Sequence, residues 1–107
     1  MKPCATLKRK QDFTRVFRQG AALRGSFHRI HLLRRNSPPS HVGIVVTKKA
    51  GSAVARNLIR RRIRHILSDI MNATITPMDI VVFVDRPVDK VRFADMKEDL
   101  VSLIMGR

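Results

Sequence analysis

Hydrophobic positions along the chain follow two distinct periods. In residues 11–19, Phe13, Val16 and Phe17 recur at i, i+3 and i+4, which puts them on one face of a short helix that Gly20 ends. Residues 27–35 set Ile30 and Leu32 against Arg29 and His31 at period two, the pattern of a strand. Residues 36–40, with Pro38 and Pro39, form a turn, and residues 42–47 follow as a largely β-branched run in which Gly43 permits close backbone approach. These two strands read as a hairpin with a loop of moderate length. Residues 52–72 contain no Gly or Pro and carry Ile59, Ile63, Ile66, Leu67 and Ile70 at helical spacing, all within a sector of about 100°. Beyond Pro77, residues 80–84 read as a buried strand, and residues 93–105 as a helix with Phe93, Met96, Leu100 and Ile104 facing inward. The predicted order is αββαβα, an α+β fold built as an α/β sandwich around a small central sheet with a long basic helix.

Length adds that 107 residues make one core, so residues 1–107 are expected to form a single domain, with residues 1–8 and 106–107 loose. The apolar runs fall well short of the ~20 residues that span a bilayer, and no apolar run follows the basic N-terminus. Neither a membrane span nor a secretory signal is therefore expected, and a cytoplasmic location follows. Cys4 is the only cysteine, which excludes internal disulfides and multi-cysteine zinc frameworks.

Charge changes the picture most. Lys and Arg number 22 against 8 Asp and Glu, a net charge of +14. Residues 1–68 hold 17 of these cations and a single acid, Asp12, for a net +16, whereas residues 69–107 are net −2. Self-repulsion on that scale points to a polyanionic partner for the first two thirds of the chain.

The cations concentrate around the long helix. Lys48 and Lys49 precede Gly51 and Ser52, a turn and a helix cap, and this strand-to-helix junction suits a phosphate because free backbone N–H groups face outward beside the lysines. Within the helix, Arg56, Arg60 and Arg64 repeat every four residues, with Asn57 and Arg61 on the same flank and opposite face and no acid until Asp69. Like charges at that spacing cost an isolated helix a few tenths of a kcal/mol per pair, so the arrangement favours bound phosphates, which arginine grips bidentately.

The segment KKAGSAVARNLIRRRIRHIL resembles the signature of the bacterial ribonuclease P protein family, with Lys48, Lys49, Gly51, Ala53, Val54, Arg56, Asn57, Arg60, Arg61 and Arg64 on the pattern. An early Asp12-Phe13 and Val16-Phe17 helix and two apolar strands agree with it in outline. The chain departs from the pattern at Leu58, where the family has a second motif arginine, at Ser52 and at His65; Arg62 is the nearest replacement for the charge missing at Leu58. The resemblance implies that Lys48, Lys49, Ser52, Arg56, Asn57, Arg60, Arg61 and Arg64 contact a catalytic RNA. It implies a cleft between the first helix and the sheet for the single-stranded 5′ leader of precursor tRNA, to which Phe13 and Phe17 map. Arg15, Arg18 and Arg29 supply charge beside those rings, and Phe27 and His31 extend the stacking surface. It further implies a left-handed βαβ crossover, in a fold also seen in the second domain of a small-subunit ribosomal protein.

On this reading the chain is the non-catalytic protein subunit of an endoribonuclease. Its partners are the ribonuclease P RNA and precursor tRNA, with no membrane and no obligate protein partner. The Mg2+ of the reaction is held mainly by the RNA. The sequence supplies no catalytic residue and no metal site: His28, His31, His41 and His65 show no same-face carboxylate or ligand-spaced second histidine, and Asp95, Glu98 and Asp99 read as a solvated cluster on the last helix. The alternative is a structural RNA-binding protein of ribosomal type. A membrane-surface helix is disfavoured because the apolar side of the long helix is needed for the core.

Overall fold

The computed structural model describes residues 4–74 and 76–106. A five-stranded sheet separates one helix from two others. In chain order the elements are β1 (Cys4–Thr6), α1 (Lys10–Gln19), β2 (Ala21–Arg24), β3 (Arg29–Arg34), β4 (Ser40–Val46), α2 (Ala53–Ala73), β5 (Met78–Val84) and α3 (Phe93–Met105), with a single 3-10 turn at Lys48–Ala50 before α2. The strand order is β1-β4-β5-β3-β2. β1 and β5 run parallel to β4, and β3 is antiparallel to both β5 and β2.

All six elements that the hydrophobic pattern predicts are present, but two of the strands do not pair as expected. β3 and β4 are not hydrogen-bonded neighbours, because β5 lies between them. The reason is burial: Met78 to Val82 and Val84 are all shielded from solvent, and a strand apolar on both faces is stable only in the middle of a sheet. Sequence reading also missed β1 and β2, which are short edge strands, β2 being mostly exposed. The stretch expected to be loose at the N-terminus is therefore ordered in part. Cys4–Thr6 pair with residues 40–42 and Leu7 is buried, while residues 1–3 and 107 lie outside the described residues.

One sheet face, carrying Ile30, Val42, Val46, Ile80, Val82 and Val84, packs on α2 and α3. Ile59, Ile63, Ile66, Leu67 and Ile70 are all buried there, together with Met96 and Leu100. Each such side chain contributes about 1.5–3 kcal/mol, far more than the like-charge pairs along α2 cost, so the helix forms despite its arginines. Phe93 is the exception among the predicted inward positions: it is exposed, its ring 5.6 Å from that of His65.

The opposite face is covered only by α1. Val16 is fully buried against Val81, with Phe13, Leu33, Val45 and Phe83 packed around them. Asp79, the one charged residue of β5, is buried on this side and ties α1, β4 and the loop after β3 to β5. Arg15 Nη2 of α1 donates to it at 2.9 Å, Arg35 Nη1 at 3.2 Å, and His41 Nδ1 of β4 lies 3.0 Å away. The Phe13 ring rests directly on Gly43: a Cβ at that glycine would stand 2.6 Å from the ring. Gly43→Val is accordingly expected to lift α1 and destabilise the fold by about 1–3 kcal/mol. Urea unfolding measures this, and an unchanged midpoint would show that the ring has room to move.

Candidate nucleic-acid interface

The junction from β4 to α2 forms as its residues require. Gly51 adopts φ +132°, a conformation open to glycine, and turns the chain from the Lys48–Ala50 turn into the helix. Ser52 caps α2, its Oγ accepting from the Ala55 N–H at 3.2 Å while its carbonyl accepts from Arg56 N–H. Ser52 Oγ is thus engaged by the helix itself. Lys48 and Lys49 are exposed beside this terminus, as is Val54, 80% exposed in the first turn and not assigned to the interface by sequence reasoning.

Along α2 the cations divide into two groups. Arg61 and Arg64 are exposed. Arg56 Nε donates to the Gly51 carbonyl at 3.2 Å, and Arg60 donates to Asn57 Oδ1 at 2.9 Å and reaches the Val46 carbonyl at 3.5 Å, so both are held against the junction. Arg62 does not stand in for the charge missing at Leu58: its Nη1 donates to the carbonyls of Asp89 and Val91 at 2.9 and 3.2 Å and fastens α2 to the loop after β5. Among the described residues, no Lys or Arg of the 48–64 segment is paired with a carboxylate.

On the α1 side, Phe13, Phe17 and His31 come together, joined by Phe83 of β5, which sequence reasoning left as a core residue. Phe17 is 38% exposed, with its ring 6.4 Å from Phe13, 5.1 Å from His31 and 5.4 Å from Phe83. The Arg29 guanidinium lies 4.9 Å above the Phe83 ring and closes the row with a cation–π contact. The other predicted members divide. Arg18 is exposed at the end of α1, Arg15 is committed to Asp79, and Phe27 packs against the core on the far side of the sheet. Period-two alternation across residues 81–83 was the signal that could have placed Phe83 on this face.

The two predicted surfaces meet. A cavity of about 400 Å³ is bounded by Leu7, Phe13 and Gly43 on one side and by Arg60, Arg64 and Ser68 of α2 on the other. It lies along β4 beyond the point where β1 stops pairing, at Val42.

The histidines correct a further expectation, because three of them do face carboxylates: His28 Nδ1 is 2.7 Å from Asp99, His41 is beside Asp79, and His65 is 3.6 Å from Asp69. Asp99 is no solvated member of an acidic cluster. Its carboxylate accepts the N–H groups of Ser26, Phe27 and His28 and binds the His28 ring, anchoring the β2–β3 turn to α3. Burial pushes the His28 imidazole below its usual value, outweighing the pull of Asp99. Burial and the Arg29 charge do the same to His31. For Asp99, burial raises the pKa, but the hydrogen bonds from His28 and the turn amides outweigh it and hold the carboxyl low.

These features define a class: a small α+β protein whose crossover helix offers an unneutralised cationic face next to an aromatic groove. The sequence model of the family described as Ribonuclease P matches residues 1–106. The ribonuclease P protein component of Streptococcus pneumoniae (strain Hungary19A-6) is 32% identical over 104 residues, covering 97% of this chain and 85% of the relative. Among solved structures, the RNase P protein from Thermotoga maritima is similar with a TM-score of 0.82 at 26% identity, over 95% of this chain and 96% of that one. The Staphylococcus aureus RNase P protein gives 0.79 at 25% identity, over 92% and 91%. The chain belongs to the ribonuclease P protein family, which serves tRNA processing as the protein component of a ribonucleoprotein.

The histidine geometry sets the response to acid. The folded pKa of His28 lies below the 6.5 of an unfolded histidine, so the unfolded chain takes up the proton first and stability falls as pH drops through 6.5. A further loss from Asp99 sets in below about 3.8. Thermal melts between pH 7.5 and 5.5 are expected to show a falling midpoint, and a flat profile would contradict the buried neutral imidazole.

Proposed function

We propose that this protein is the RNA-binding subunit of ribonuclease P. It assists an RNA-catalysed, Mg2+-dependent cleavage that removes the 5′ leader of precursor tRNA in the cytoplasm. The observation that supports this most directly is the cationic face of α2, free of carboxylate partners, meeting Phe13 of the aromatic groove at one cavity. The exposed Lys48, Lys49, Arg61 and Arg64, with Arg56, Asn57 and Arg60 fixed behind them, take the phosphates of the catalytic RNA. Each neutralised phosphate releases counterions, which lowers the repulsion between two RNAs that must approach closely. Phe17, His31 and Phe83 offer faces on which unpaired bases stack, and Arg18 and Arg29 hold the backbone beside them, so the leader is bound by a surface that reads single strands.

Chemistry stays with the RNA and the magnesium ions it holds. Among the described residues no three His, Cys, Asp or Glu side chains gather as a cation site. The protein contributes affinity, screening and orientation, which act on substrate binding.

Reconstitution tests the reading. The purified chain mixed with a bacterial ribonuclease P RNA and precursor tRNA at low magnesium is expected to stimulate leader removal. Absence of stimulation would favour a structural RNA-binding role. In the same system Arg61→Ala with Arg64→Ala is expected to weaken binding to the catalytic RNA and to flatten its salt dependence, by up to about 0.7–0.9 in log–log slope per lost contact. An unaltered slope would remove α2 from the interface. Phe17→Ala is expected to reduce the preference for leader-bearing over mature tRNA several-fold. Because Phe17 is partly exposed, the fold should survive, and circular dichroism checks that it does.

A further inference from the structure

Beyond Val42 the outward edge of β4 runs without a neighbouring strand. Leu7 N–H donates to the Val42 carbonyl at 2.8 Å, and the chain then leaves the sheet for α1. Backbone groups alternate in direction along a strand, so those of Val42, Ile44 and Val46 face the β1 side while those of Gly43, Val45 and Thr47 face β5. The bond from Thr47 N–H to the Val84 carbonyl of β5 has this phase. Arg60 reaches the Val46 carbonyl. The N–H and C=O of Ile44 have no protein partner among the described residues.

Ile44 is half-buried and lines the cavity of about 400 Å³ that joins the α1 and α2 sides. An occupant there meets three things at once: the donor and acceptor of one extended residue, an apolar wall from Leu7 and Phe13, and the guanidinium groups of Arg60 and Arg64 on α2. A peptide strand added to a sheet edge needs a run of donor and acceptor pairs, and this cavity supplies one. A second copy of the chain would bring a charge of +14 against the same arginines. A nucleotide meets all three conditions. Its base is flat and apolar on its faces, carries an adjacent donor and acceptor on one edge, as N6 and N7 of adenine do, and has a phosphate one sugar away. The volume lies near the lower end of the range for small-ligand pockets, about 300–1,000 Å³, which suits one nucleotide and not a stacked run.

We infer that this cavity receives one unpaired nucleotide extruded from the structured RNA on α2. Its base lies against Leu7 and Phe13 with its edge on the Ile44 N–H and C=O, and its phosphate is held by Arg60 and Arg64. The inference rests on the reading of α2 as the face for that RNA and adds a register to it, because phosphate contacts hold an RNA without regard to sequence whereas an inserted base marks one position along it. Arg60 is oriented for this role by Asn57 Oδ1 and the Val46 carbonyl.

Binding of the full chain to a bacterial ribonuclease P RNA, measured across a range of salt concentrations, tests the inference. Ser68→Phe fills the cavity from the α2 side and removes no cation. It is expected to weaken binding about tenfold, the worth of one inserted base, and to leave the salt slope as it is in the unaltered protein. A folded Ser68→Phe protein that binds as tightly as the unaltered one, or whose loss of affinity comes with a flatter slope, overturns the pocket and leaves the α2 interface standing. An unaltered protein that does not bind this RNA, or a slope indifferent to Arg61→Ala with Arg64→Ala, overturns both. A second measurement needs no variant. In the 15N-labelled unaltered chain, millimolar AMP is expected to shift the Ile44 amide resonance, and ribose 5-phosphate, which has the phosphate without the base, is expected to leave it in place. An Ile44 amide unmoved by AMP, or moved equally by both compounds, refutes the pocket.

Discussion

Burial of β5 on both faces is the constraint from which the rest of the molecule is organised. A strand with apolar side chains on either side must lie in the middle of the sheet and be covered twice. α2 and α3 supply one cover and α1 the other. Because α1 is only ten residues long, the second cover is incomplete, and part of the sheet with Phe83, His31 and Arg29 stays within reach of solvent. The aromatic groove is this uncovered remainder. Asp79, the single charge inside β5, keeps the short helix in place by drawing Arg15, Arg35 and His41 onto one buried carboxylate.

Three of the eight acidic groups in the chain fix architecture. Asp79 anchors α1 to the sheet, Asp99 anchors the β2–β3 turn to α3, and Asp69 meets Lys97 and His65 between α2 and α3. None is directed at the arginines of the first turns of α2. Arg56, Arg60 and Arg62 donate to backbone carbonyls, and Arg60 also to the Asn57 side chain, contacts that orient the guanidinium groups without neutralising them. A helix kept positive in this way is stabilised by hydrophobic burial on one side and carries on the other the unneutralised charge on which the proposed RNA contact rests.

The division of labour is spatial. The outer face of α2 is suited to a structured RNA presenting phosphates, while the groove across the sheet is suited to a strand with exposed bases. The cavity between Phe13 and Arg64 joins the two, so the proposed function would set a strand in the groove and an RNA on the helix side by side on one protein. Proximity of that kind is what a subunit needs in order to present a substrate to a catalyst that it does not itself contain.

Local pattern determined α1, α2, β3, β4, β5 and α3, because amphipathic periodicity is written into neighbouring residues. Burial of Ile59, Ile63, Ile66, Leu67 and Ile70, the Ser52 cap and the Gly51 turn were legible for that reason. The resemblance of the α2 segment also marked the cationic residues of the proposed interface. Strand order was not legible: residues 27–35 and 42–47 looked like partners because they are adjacent in sequence, and only the competition for the twice-covered centre of the sheet put β5 between them. The same holds for contacts between residues far apart in the chain. That Arg15 is consumed by Asp79, that Phe83 and not Phe27 completes the aromatic row, and that Asp99 orients His28 depend on which faces and ends the folded sheet brings together. Composition determines how much charge and apolar surface there is; tertiary packing decides which of those groups find each other and which remain free for RNA.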